Sequence, residues 1–195
     1  MKTINEVNVP EKLSELTLGQ FIRLQQYTGA TIHDQNKAIG IMCKVTEEEI
    51  GKWDVETYYN VSMALLDIDY NLGAPSQTVT IGKQLYTLRE FEDLTAAEFV
   101  DFDTLLGENN ASVFSTLAAL AYTDNKTHKD YVKATNERGR IFFEKMDAFT
   151  AMSAVNFFVE SSRRYAQDIA DSSELPKEVR EAIRKTMALT GGGGN

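Results

Sequence analysis

Three short phrases do most to limit how this chain folds: LTLGQF from Leu16, VTEEEI from Val45 and LTAAEF from Leu94. In each, a Thr stands three residues before a Gln or Glu: Thr17 with Gln20, Thr46 with Glu49, Thr95 with Glu98. A helix leaves its first amides without internal partners. A Thr oxygen at the cap accepts the third amide, and the third side chain reaches back to the cap amide. The apolar residue before the first and third Thr, and the Phe after position three, complete a hydrophobic staple. The chain therefore carries three written helix starts, near residues 18, 47 and 96.

The first and third phrases lie 78 residues apart, Leu16 against Leu94, and the likeness continues without a gap. Ile39 falls on Leu117, Met42 on Leu120, Cys43 on Ala121, and Ala64-Leu65 on Phe142-Phe143. Two readings stay open: an internal duplication, or a shared capping device in front of unrelated helices.

Apolar spacing of three and four extends the helical pattern. Helices are expected at about 18–28, with Phe21, Leu24 and Tyr27 inward beside Leu18. Others are expected at 34–44, with Ala38, Ile41 and Met42 inward after a break at Gly29, and at 55–68, capped by Asp54, with Tyr58, Val61, Leu65 and Ile68 inward. A short capped turn covers 47–52. In the second half helices are expected at 96–106, 110–122, 128–146, 147–171 and 176–188. ASVFSTLAALAY, 111–122, is apolar nearly all round and reads as a buried core helix. On the long helix Ala148, Met152, Val155, Val159, Ala166 and Ile169 form one stripe, which Phe149 and Phe158 widen.

The β signals are few. Residues 2–9, with Ile4, Val7 and Val9 before Pro10, read as a weak edge strand. After the break NLGAPS, 71–76, TVTIGKQLYTL is a hairpin with a type II′ turn at Gly82-Lys83. That register opposes Val79 to Tyr86. It places Val79, Ile81, Tyr86 and Leu88 on one face, and Thr78, Thr80, Leu85 and Thr87 on the other. A lone hairpin is marginal in water, so its apolar face must meet helices or another strand must join it. The expected class is mainly α (α+β), a helical domain with one central hairpin at 77–88. The chain is either one domain over 1–195 or two similar helical halves, 10–70 and 90–190. The Gly-rich end, 190–195, reads as a disordered tail.

With 195 residues and 43% of them hydrophobic, the chain can bury a sizeable core. No apolar run approaches the ~20 residues that span a bilayer, and the first residues show no secretory leader pattern. The lone Cys43 excludes an internal disulfide and fits a reducing compartment. The formal charge of −9 is uneven: residues 1–110 hold 8 Lys+Arg against 18 Asp+Glu, net −10, and the remainder nets +1. An acidic front half repels phosphate backbones, which argues against nucleic acid as the main partner.

Motifs for chemistry are missing. DIDYNLG, Asp67 to Gly73, starts like a calcium loop but places Leu72 and Thr78 where Gly and Glu are needed. His33 and His128 have no metal-binding context, and no serine sits in a nucleophile elbow. Cys43 reads as a small hydrophobe. The C-terminal glycines lack the Lys and Ser/Thr of a phosphate loop. Asp101 and Asp103 diverge by ~200° on a helix and read as solvated surface, as do Lys126, Lys129, Lys133, Arg138 and Arg140. No catalytic, cofactor or metal residue is expected. Aromatics exceed what one core face holds: Phe142 and Phe143 cannot share a face, and Phe157 lies off its stripe. With the basic pair Arg163-Arg164 these are the candidate partner contacts, set against coverage of the helices on two sides.

Two long segments, Leu16 to Leu66 and Pro75 to Tyr122, resemble small non-enzymatic proteins encoded by tailed bacteriophages. In that group a helical front half is followed by a Tyr-containing hairpin and a phrase like LTAAEFVD. The resemblance implies a tail or baseplate assembly chaperone, or a minor structural component of the particle. It implies other phage structural proteins as partners, homo-oligomers as an option, and residence in the host cytoplasm during assembly or in the virion; the lack of a long apolar run adds the expectation of no membrane. It brings no catalytic residues or cofactors. Two other classes remain open: a regulatory or adaptor protein that binds a host partner, and an enzyme with a site assembled from distant residues.

Overall fold

The structure, a computed structural model, describes residues 1–27, 31–108, 110–124, 126 and 130–171. The expected helix at 176–188, the Gly-rich tail, Gly29, His128 and Lys129 lie outside the described residues. Among those described the fold is mainly α with two small antiparallel sheets.

The chain opens with strands β1 (Lys2–Ile4) and β2 (Val7–Val9), paired Lys2 to Val9 and Ile4 to Val7. This hairpin replaces the expected edge strand. Its turn residues Asn5 and Glu6 both have positive φ, 44° and 70°, as a type I′ turn requires. The turn carries no Gly, which is why the signal is weak. Asn5 Nδ2 donates to Thr57 Oγ1 at 2.7 Å and ties the turn to the helix below.

Helix α1 (Leu18–Leu24) starts at the Thr17 box, α3 (Glu47–Ile50) at the Thr46 box and α5 (Ala96–Gly107) at the Thr95 box. All three boxes form with both of their bonds. Between them lie α2 (Ile32–Cys43) and α4 (Val55–Leu66), the latter capped by Asp54 as expected. α1 ends earlier than its periodicity suggests and turns a different face inward. Leu18, Gly19, Gln20 and Ile22 are buried, while Phe21, Leu24 and Tyr27 are half-buried. On α2 the buried residues are Ile39, Met42 and Cys43, one position on from the expected set. The front core joins these to Val7, Val9, Leu13, Leu16, Val61, Leu65, Ile68 and Ala148.

The central hairpin, β3 (Thr78–Ile81) and β4 (Gln84–Leu88), has the expected register, Val79 opposite Tyr86, around Gly82 at φ 65°. It is completed by β5 (Tyr122–Thr123), with Leu88 opposite Tyr122. β5 follows directly from α6 (Phe114–Ala121), which buries Leu117 to Ala121 without interruption. Helix α7 (Tyr131–Lys145) packs on α6, and its Gly139 allows the approach: a Cβ there would stand 3.3 Å from the Ser115 carbonyl oxygen. Phe142 sits edge-on to Tyr86 at 4.9 Å and to Tyr122 at 6.4 Å, which brings sheet and helix together.

Helix α8 (Ala148–Asp171) begins where α1 begins. The Leu18 amide donates to the Met146 carbonyl at 2.7 Å, and the Ala148 amide to the Leu16 carbonyl at 2.8 Å. Residue contacts divide the chain into two compact units, Met1–Val155 and Asn156–Asn195, with the boundary inside α8 rather than at the central hairpin. None of the described helices is long and apolar enough to cross a membrane.

The offset of 78 persists in the structure of the first unit. α2 ends at Cys43 and α6 at Ala121; α4, shifted by 78, falls within α7. Ile39, Met42, Cys43, Thr57 and Ile68 are buried, and so are Leu117, Leu120, Ala121, Thr135 and Met146 at the matching positions. The first helices differ, since Leu18 and Ile22 are buried but Ala96 and Val100 are exposed.

The close approach of α1 to α7 supplies a stability test. A Cβ on Gly19 would stand 2.5 Å from the Phe143 carbonyl oxygen, against backbone that cannot swing aside. Gly19→Ala, otherwise helix-favouring, should therefore lower the unfolding free energy by ~1–3 kcal/mol in urea titrations, as overpacking does. A more stable variant would show that α1 and α7 can separate at no cost.

Candidate partner-binding surface

Helix α4 is apolar on two sides. Its inner face, Val61 and Leu65 continued by Ile68, is buried in the front core, with Tyr58 half-buried and its hydroxyl 3.1 Å from Asn36 Oδ1. The opposite face repeats the spacing of four and three: Val55, Tyr59, Met63 and Leu66, continued past the helix by Tyr70. These are among the most exposed large apolar side chains in the protein: Val55 is 86% exposed, Leu66 75% and Tyr59 61%. Scattered apolar surface residues need no explanation, but a row of this kind along one helix face is a candidate contact surface.

The ridge has an acidic frame. Asp54, Glu56, Asp67 and Asp69 are all exposed beside it, and no Lys or Arg occurs between Lys52 and Lys83. Lys52 itself is bonded to Glu48 at 2.7 Å. The fold brings Lys12 alongside at the far end, where its backbone bridges Asp69. Asp69 also accepts the Asn71 amide at 2.9 Å, so the DIDYNLG acids shape a helix end.

The candidate contacts read from the sequence fare differently. Phe142 is fully buried between Tyr86 and Tyr122 and is a core residue, which removes it from the candidates. Phe143 is half-buried against Gly19, with the Arg23 guanidinium 5.5 Å from its ring centroid. In the second unit Phe157 is half-buried and stands edge-on to Phe158, centroids 6.1 Å apart, and Arg163 and Arg164 are exposed. The apolar stripe expected over 55–68 covers only the inner face of α4. The signal for the outer face is present in VETYYNVSMALLDIDY, where the positions between the inward residues are also apolar.

One polar cluster lies where the chain leaves β4 and enters α5. Arg89 donates to both Glu98 oxygens, at 2.7 and 3.1 Å, and to the Asp93 carbonyl at 2.7 Å. The Thr95 amide and hydroxyl each reach Glu98 Oε2 at 2.9 Å. Burial alone pushes the Glu98 carboxyl up, but the bonds from Arg89 and Thr95 outweigh it and hold the carboxyl at about 2. A carboxylate held that low is a poor proton acceptor at neutral pH. Arg138, buried nearby, donates to the Ala119 carbonyl at 3.3 Å and to Thr135 Oγ1 at 3.1 Å. Its neighbour Tyr131 donates to Asp101 at 2.6 Å, and that bond raises its phenol to about 12. The groove these residues line, with a volume of about 480 Å³, thus holds mutually satisfied groups. Burial raises the Cys43 thiol to about 11, far from the thiolate a nucleophile needs. Among the described residues no three His, Cys, Asp or Glu side chains gather as metal ligands would.

Comparison with protein families, with characterised proteins and with solved structures finds no match.

Two outcomes follow from this geometry. Folding lowers the Glu98 pKa from its ordinary 4.5, so its cluster stabilises the protein above about pH 4.5 and loses that contribution as pH falls toward about 2. Urea titrations at about pH 6 and about pH 3 should show a smaller loss for Glu98→Gln than for the native chain; equal losses would contradict the pairing. Tyr59 and Leu66 are largely exposed, so Tyr59→Ser with Leu66→Ser should change unfolding free energy by no more than ~0.5 kcal/mol per site. A larger fall in the denaturation midpoint would make the ridge part of the fold.

Proposed function

We propose that this protein is a non-enzymatic assembly or structural protein of a tailed bacteriophage that works through protein–protein contacts. It acts as a tail or baseplate assembly chaperone or as a minor component of the particle. The observation that carries a contact function is the exposed apolar ridge of α4 within an acidic frame. A ridge that adds nothing to the core and exposes several large side chains to water is an aggregation liability unless a partner covers it. The resemblance of the two long segments to phage-encoded proteins supports the class of partner. The polar cluster around Glu98 and Arg89 closes on itself, and this favours contact over catalysis.

Tagged protein recovered from phage-infected cells under mild salt should bring down tail, baseplate or head proteins in stoichiometric amount. Recovery of a host protein alone would replace this reading with the regulatory one. A monomer without a virion partner would overturn it.

A further inference from the structure

We infer that the ridge of α4 receives an amphipathic helix with a basic polar face from the partner protein. The inference rests on the contact reading above and names the chemistry of the occupant. The ridge is one file of side chains along a 12-residue helix, ~18 Å long at 1.5 Å per residue. A single helix laid along it, with apolar residues every three or four positions, matches that length and width.

The acidic frame selects the charge of the occupant. Asp54 and Glu56 flank one end of the ridge, and Asp67 and Asp69 flank the other, with Lys12 as a basic neighbour at that far end. The Asp54 carboxylate is held in its charged form by the Thr57 amide and hydroxyl, which lower its pKa. Lys or Arg at both ends of an incoming helix meet these groups, and Asp or Glu there are repelled. The same frame disfavours an anionic lipid surface. One helix on one helix covers less than the ~1,000 Å² typical of permanent interfaces, so binding is weak and reversible. That suits a partner later released into an assembly.

Two labelled model peptides test this with the full chain. Each is ~18 residues of helix with the same Leu/Ala face, one with a Lys/Arg polar face and the other with a Glu face. Fluorescence anisotropy should show saturable binding of the basic peptide, at least ~10-fold tighter than the acidic one. It should weaken between about 50 and about 300 mM salt, and Tyr59→Ser with Leu66→Ser should weaken it by ~10-fold or more. Circular dichroism confirms that the variant folds. Equal binding of both peptides, no binding of either, or binding unaffected by the two substitutions would overturn the inference. The contact reading has its own separate test: a virion protein that co-purifies while the basic peptide fails leaves the function standing and removes only this occupant.

Discussion

The second half of the first unit depends on the contact between α6 and α7. α6 is buried from Leu117 through Ala121, and its small residues leave its backbone close to its neighbours. Gly139 on α7 then faces the Ser115 carbonyl with no room for a methyl group to spare. Close helix approach of this kind gains dispersion contacts along its length, and a methyl group at Gly139 would require the neighbouring backbone to shift by a few tenths of an ångström. The carbonyls at the end of α6 are put to use: Ala119 accepts from Arg138, and Ala121 accepts from the Arg89 amide at 2.9 Å. From Tyr122 the chain continues as β5, so the central hairpin is attached to the helices by backbone pairing as well as by the Phe142 ring. Arg89, placed by that attachment, orients Glu98 and so locks the start of α5.

Much of the local structure was legible in the sequence because its causes are local. A Thr and a Gln or Glu three residues apart satisfy the same orphan amides in any surroundings, and all three boxes formed. Gly82 at the first turn position set the hairpin register. What was not legible depends on partners distant in the chain. The face of α1 is decided by the Met146 and Phe143 backbone that Leu18 and Gly19 approach, and a periodicity count over residues 18–28 cannot see them. β5 is two residues long and exists only because β4 is beside it. Phe142 and Phe143 were surplus to one helix face; the sheet absorbed Phe142 and α1 met Phe143. The first hairpin turns through Asn5 and Glu6, and a Glu with positive φ carries no sequence warning.

The functional reading rests on an asymmetry between two apolar faces of one helix. The inner face of α4 is fully used by the front core, and Thr57 is fixed by Asn5. The outer face has the same residue types with nothing comparable to hold. Natural sequences keep such residues on an exposed surface against a constant pressure toward aggregation, which is a physical reason to assign them a contact. The acidic charge of the first 110 residues favours basic over acidic surfaces at such a contact.

The most direct test of this account is amide hydrogen exchange on the protein alone and in the presence of phage tail, baseplate or head proteins. Binding at the ridge should slow exchange across residues 54–70, with the central hairpin and α6 unchanged. Protection confined to other helices, with α4 exchanging as in the free protein, would contradict the assignment of this face as the contact surface.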